Sequence, residues 1–171
     1  MATGFEIMLP ENLISDIDFL SKNAKEIFKG VAKAGAEQAA ENMKPRALKA
    51  FKPQTGPKVN QKLVVTKPYI TRSGTINCAA RYYGYIPLKS GKQWYQKKNG
   101  KVYGPYPGVP AGLLVALADQ GRSIGSEMPQ QFRDYWYGTK YPIITPAFNA
   151  QNVMDAMRKA QEKLSGGRLK W

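Results

Sequence analysis

From Ile17 onward, apolar residues return every three or four positions: Ile17, Leu20, Ala24, Ile27, Val31 and Ala34. That period draws one stripe along an α-helix and leaves Lys22, Lys25, Lys29 and Lys33 on its other faces. A strand cannot satisfy it, because strand side chains alternate with period two. Ser15-Asp16-Ile17-Asp18 predicts the start, with Ser15 as N-cap and Asp18 reaching back from the third helical position. The helix is expected to run to about Met43, roughly 40 Å at 1.5 Å per residue. Pro45 then breaks or kinks it, and residues 46–51 add another turn or two. Gly30 and Gly35 weaken it and mark either a bend or the close approach of a second helix. The small-sided run 34–40 fits tight packing or a partner subunit. Glu37 and Glu41, four apart, read as an exposed helix face rather than a catalytic pair.

The rest of the chain sorts by punctuation. Residues 5–9 alternate weakly as a short strand ended by Pro10. Pro53, Gly56 and Pro57 make 52–60 a loop. Residues 62–71 read as a strand that Pro68 bends or confines to an edge. Arg72-Ser73-Gly74 turns the chain, and 75–85 returns antiparallel with Ile76, Cys78 and Ala80 on one face. A second hairpin spans 89–106 around Asn99-Gly100, the strongest signal for a tight two-residue turn. Residues 104–112 form a Pro/Gly-rich loop, and the apolar segment 113–119 forms a short helix that Gly121 ends. Phe132, Tyr135, Trp136 and Tyr137 cluster as satellite core or interface. Residues 141–146 are extended. A last helix opens near Pro146, keeps helical spacing through Phe148, Val153, Met157, Ala160 and Leu164, and stops at Ser165-Gly166-Gly167. The basic tail 165–171 is either frayed or docked on a neighbour. Helix, strands, helix predicts one α+β domain over 1–171: two helices laid on a small antiparallel sheet, with a protruding hairpin.

Charge is unevenly spread. Residues 42–118 hold no Asp or Glu but 14 Lys or Arg, so the whole formal charge of +14 belongs to this middle segment. It predicts an acidic partner. The chain has no histidine and a single cysteine, Cys78. Ser-His-Asp and Cys-His sites are therefore impossible, an internal disulfide is excluded, and a zinc site has too few ligands. Gly121-Arg122-Ser123-Ile124-Gly125 lacks the spacing and the lysine of a phosphate loop. No catalytic, metal or cofactor residue is assigned, and the chain is not expected to be an enzyme. Cys78 is expected to be a small buried strand residue rather than a reactive thiol. No apolar run is long enough for a bilayer, the N-terminus lacks a signal-peptide pattern, and a cytoplasm is the expected site of synthesis. The candidate partner contacts are Trp94, Tyr95, Lys97, Lys98, Lys101 and Tyr103 on the second hairpin, with Arg122, Trp136, Arg168 and Trp171 beyond it. Two readings of that hairpin stand. Its aromatics stack on bases while its lysines meet phosphates; or its aromatics pack on protein while its lysines are solvated, which is favoured because no recognised nucleic-acid module surrounds it.

Three motifs follow in order: Pro53-Gln54-Thr55-Gly56, Asp119-Gln120-Gly121-Arg122-Ser123 and Pro142-Ile143-Ile144-Thr145-Pro146-Ala147-Phe148. With the long N-terminal helix before them, they resemble the small neck and tail-completion proteins of long-tailed bacteriophages, also called minor tail or head–tail joining proteins. The likeness runs loosely over 15–164. Pro57 and Lys58 depart from the apolar residue usual there, Asp119 replaces the more usual Glu, and 89–107 and 124–140 look longer than typical. The resemblance implies a structural virion protein, made in the host cytoplasm and assembled as a homo-oligomeric ring, six- or twelve-fold, at the head–tail junction or the upper end of the tail tube. It implies neck, connector or tail proteins as neighbours, transient contact with packaged DNA, no membrane and no cofactor. The alternative is a basic nucleic-acid-binding module.

Overall fold

The computed structural model describes residues 11–88, 91, 93–121, 135–137 and 140–169, with the backbone alone for 11–14, 97 and 98. The expected strand at 5–9 and the aromatic Phe132 lie outside the described residues. Helix α1, Glu11–Ala50, is one unbroken element of 40 residues. It starts a full turn before Ser15, so the expected capping box does not form. Asp16 and Asp18 still place negative charge near the start of the helix, toward the positive end of its dipole.

Pro45 does not end α1. It removes one N–H and the bond that this group would make, yet the turns beyond it are held by packing: Ala47, Ala50 and the following Phe51 are buried. The Asn60 side-chain amide also donates to the Lys44 carbonyl at 3.0 Å. Tertiary burial outweighs a local helix breaker here.

Along α1 buried positions recur at Ile27, Val31, Gly35, Ala39, Met43 and Ala47, with Ala36, Ala40 and Ala50 buried beside them. Steps of four advance 40° beyond a full turn, so this stripe winds around the helix. Its N-terminal half meets helix α5, Gln151–Leu164, and its C-terminal half meets the rest of the core. The pairing with α5 is antiparallel and close. A Cβ on Gly30 would strike the Leu164 side chain, and one on Gly35 would come within 2.9 Å of Met157. The two glycines therefore mark a helix approach. Ile17 stays exposed, because α5 ends before reaching it.

Between these helices the described residues make eight short strands and three helical segments. They are β1 Leu63–Val65, β2 Tyr69–Ile70, β3 Ile76–Asn77, β4 Ala80–Tyr82, β5 Tyr85–Ile86, β6 Trp94–Lys98, β7 Lys101–Tyr106 and β8 Val109–Pro110, with α2 Gly56–Asn60, α3 Ala111–Gln120 and α4 Ile144–Phe148. The α+β class holds, but the strands form four two-stranded ladders, β1–β4, β2–β3, β5–β8 and β6–β7, instead of one sheet. The first hairpin is broken in two near Pro68, where Thr66 bridges the gap: its hydroxyl accepts from the Ala79 N–H at 2.9 Å and its carbonyl accepts from the Cys78 thiol at 3.1 Å. Cys78 is half-buried, and that burial pushes its thiol pKa up.

The loop expected at 52–60 contains α2, which Pro57 opens and the buried Val59 anchors. Residues 141–146 are not all extended, since α4 begins at Ile144. The last helix restarts at Gln151 rather than near Pro146. The core gathers Met43 and Phe51 at the end of α1, Val59, Ile86, Val109, Leu114 and Val115 of α3, Ile143, and the aromatics Trp94, Tyr135 and Trp136.

Tyr82 carries a test of this core. It is buried, and its hydroxyl has no hydrogen-bond partner among the described residues. Burial raises its pKa far above the ordinary value near 10. The unfolded chain therefore releases this proton first. The neutral ring's contribution is complete below about pH 10 and is lost as pH rises past that value. Replacing Tyr82 with Phe is expected to change the melting temperature little at pH 7. Between pH 9 and 11.5 the variant should lose less stability than the wild type. Parallel losses in the two proteins would show that Tyr82 is hydrated.

Candidate interaction surfaces

The second hairpin is built on the β5–β8 ladder, where Ile86 opposes Val109. Trp94 lies 5.6 Å from Tyr106 with the rings tilted by 40°, and Tyr106 stacks at 5.7 Å on Tyr85. This aromatic column, with Trp94 only 7% exposed, seats the hairpin on the core. Asn99 and Gly100 take φ of 50° and 74°, the left-handed pair that a tight hairpin turn demands. Gly104, at φ 130°, leaves room where a Cβ would come within 3.0 Å of the Trp94 carbonyl. Beyond its base the hairpin is bare on both faces: Tyr95 is 53% exposed, Val102 64% and Tyr103 45%, with Lys101 beside them. A two-stranded ribbon with this much apolar surface in water has not satisfied its hydrophobic faces within the fold.

The structure therefore divides the residues singled out from the sequence. Tyr95, Lys101 and Tyr103 are exposed on the hairpin, where the Tyr95 hydroxyl donates to Gln93 Oε1 at 3.3 Å. Lys97 and Lys98 belong to β6, opposite Val102 and Lys101. Trp94 and Trp136 are core residues; Trp136 pairs with Phe51 across an isolated antiparallel bridge. Arg168 is engaged within the chain, its Nε donating to Asp16 at 2.6 Å and its guanidinium lying 4.3 Å from the Phe19 ring. This docks the start of the basic tail on the first turns of α1. Arg122 and Trp171 lie outside the described residues.

A second basic and aromatic surface escaped the sequence reading. In β1–β4, Val64 opposes Arg81, and the Tyr83 N–H donates to the Lys62 carbonyl at 2.7 Å. Leu63, Val65, Ala80 and Tyr82 turn inward, so Lys62, Val64, Arg81 and Tyr83 share the outer face. Arg81 lies 5.6 Å from the centre of the Tyr83 ring, within cation–π distance. The only advance signal is the i, i+2 spacing of 62 with 64 and of 81 with 83.

Two of the three sequence motifs meet in space. Gly121 ends α3 in the left-handed conformation, at φ 64°. The chain returns with the Tyr141 N–H donating to the Ala118 carbonyl at 2.9 Å. Oδ1 of Asp119 then accepts the N–H groups of Ile143 and Ile144 at 2.6 and 2.9 Å, capping the start of α4. Downstream, the Ala147 carbonyl accepts from the Asn42 amide at 3.0 Å, and Asn42 meets Asn152 at 2.8 Å. The Pro53-Gln54-Thr55-Gly56 motif makes the tight turn into α2, with Gly56 packed against Leu48.

Glu37 and Glu41 are exposed on α1 and pair with Lys33 and Lys44. Among the described residues no group of three or more His, Cys, Asp or Glu is placed to hold a metal ion. Nor is any helix among them long and apolar enough to cross a membrane. Compared with models of known families, with curated proteins and with solved structures, the chain matches none.

Proposed function

We propose that this protein is a structural subunit of a tailed-bacteriophage virion. In this reading it forms a homo-oligomeric ring at the head–tail junction or the upper end of the tail tube, after assembly in the host cytoplasm. The observation that carries the reading is the joint at Asp119. The acid of the second motif caps the helix of the third, so the ordered motifs behind the resemblance act as one structural unit. The bare hairpin adds support, since ring subunits need two different complementary patches and surplus apolar surface supplies one. The acid-free segment 42–118 suits an acidic neck, connector or tail protein better than packaged DNA. A strongly cationic channel would hold DNA through counterion release and hinder its passage.

Light scattering on the purified protein at low and high salt tests this reading. The expected result is a single closed species of about six or twelve subunits at both salts, because closed rotational symmetry gives discrete sizes. A protein that stays monomeric at both salts and associates only when DNA is added would overturn it.

The strip of Lys62, Arg81 and Tyr83 favours a second reading, a basic nucleic-acid-binding module. That module would bind single-stranded DNA with a steep logarithmic salt dependence. Neutralising Lys97, Lys98 and Lys101 together would flatten the slope by about 2–3 if the hairpin contacts phosphates, and would leave it unchanged if the β1–β4 face does so alone.

A further inference from the structure

A cavity of about 300 Å³ opens between the C-terminal part of α1 and the segment leading through α4 into α5. Asn42, Pro45, Arg46 and Lys49 line it from α1, and Tyr141 and Pro146 from the other side. Arg46 and Lys49 are three apart on one helix, so they rise from the same side. Among the described residues no acid lines the cavity. The described ion pairs lie elsewhere: the adjacent Lys44 is matched by Glu41, whereas Arg46 and Lys49 have no described carboxylate partner. Asp119, which packs under the same segment, commits its Oδ1 to the Ile143 and Ile144 N–H groups.

Arg46 is also held in place. It is half-buried, and its Nη1 donates to the Pro142 carbonyl at 3.3 Å. This tether uses one of five guanidinium N–H donors and leaves the others without a described bond. The floor beneath is fixed, since the Asn42 amide is bonded to Ala147 and Asn152. Two cations, a tyrosine and two proline rings on a braced wall make a preorganised basic pocket.

We propose that this pocket binds an oxyanion, a carboxylate or a phosphate group. The planar guanidinium of Arg46 offers paired donors to two oxygens, and Lys49 adds a mobile point charge. The volume takes a free phosphate ion or a carboxylate on a short chain. The proposal does not rest on the ring reading. A monomer would bind the anion equally well, and a ring with an inert pocket would leave the proposed function standing.

The test is calorimetric titration with inorganic phosphate and, separately, with succinate, at constant ionic strength set by sodium chloride. Saturable binding of at least one is expected. Phosphate alone would identify a phosphate ligand, and succinate alone a carboxylate ligand. Lys49→Gln should weaken the apparent affinity about tenfold, the usual effect of losing one charged contact. Arg46→Gln with Lys49→Gln should abolish binding. Lys58→Gln with Lys67→Gln, which removes the same charge outside the cavity, should leave it unchanged. Arg46 also braces Pro142, so the double variant could lose binding by loosening the fold. Lys49 is exposed and has no described bond, and Lys49→Gln carries the test by itself. No saturable heat with either anion would overturn the proposal, as would an equal loss in the Lys58/Lys67 control.

Discussion

Replacing Phe51 with Ala is expected to cost about 3–5 kcal/mol, the range for removing a fully buried phenyl ring. In a domain of 171 residues that lowers the melting temperature by roughly 6–20 °C. Phe51 has no exposed surface. Its N–H closes the last turn of α1 on the Ala47 carbonyl at 3.1 Å. Its backbone pairs with Trp136, and the next residue, Lys52, donates to the Tyr135 carbonyl at 3.1 Å. The ring therefore lies where the long helix, the α2 turn and the aromatic segment 135–137 converge. The cavity left behind has little freedom to collapse, because Met43, Ala47 and Val59 are fixed by their own helices. Urea unfolding followed by far-ultraviolet circular dichroism measures the loss. A cost below about 1 kcal/mol would mean that the end of α1 does not pack into the core, and that the passage through Pro45 needs another cause.

How far the sequence discloses this fold depends on how local each determinant is. The left-handed Asn99-Gly100 pair, Gly121 after α3 and the Ser165-Gly166-Gly167 stop are local, and each acts where its residues predict; of the expected α1 stripe, Ile27 and Val31 are buried while Ile17 is exposed. Pro45 misleads because its penalty is local and its compensation is remote: Asn60 and the buried Phe51 hold the helix beyond it. Trp94 and Trp136 mislead for a similar reason. Trp94 sits between the exposed Gln93 and Tyr95, and only its contact with Tyr106, twelve positions on, draws it into the core. Gly30 and Gly35 gave two open readings, and the choice between them required Leu164 and Met157, more than a hundred residues away. For the candidate surfaces, the exposed hairpin was legible from its composition. The outer face of β1–β4 needed the strand register, and the Arg46–Lys49 pocket needed the return of 141–146 against α1.

Removing the carboxylate of Asp119 is expected to cost about 2–4 kcal/mol. Its Oδ1 takes two hydrogen bonds, one from the buried Ile143 and one from the more exposed Ile144. A charge-assisted bond to a buried N–H contributes about 1.5–3 kcal/mol and the exposed one about 0.5–1.5. In Asp119→Ala the Ile143 N–H is left buried without its acceptor, and α4 loses its cap. Because Ala147 of α4 receives the Asn42 amide, the loosening should spread to the seam between α1 and α5. Hydrogen exchange should show it as faster exchange at 143–148 and weaker protection near Asn152. Asp119→Asn keeps a neutral acceptor of the same size and should retain about half of the lost stability, since charged hydrogen bonds are roughly twice as strong as neutral ones. Asp119→Glu keeps the charge on a longer arm; in Glu the carboxylate must fold back to reach both N–H groups, so an intermediate loss is expected. If Ala and Asn are equally mild, the two motifs are held together by the burial of Ile143 and Ala147 alone. Their meeting at Asp119 would then give the resemblance no structural support.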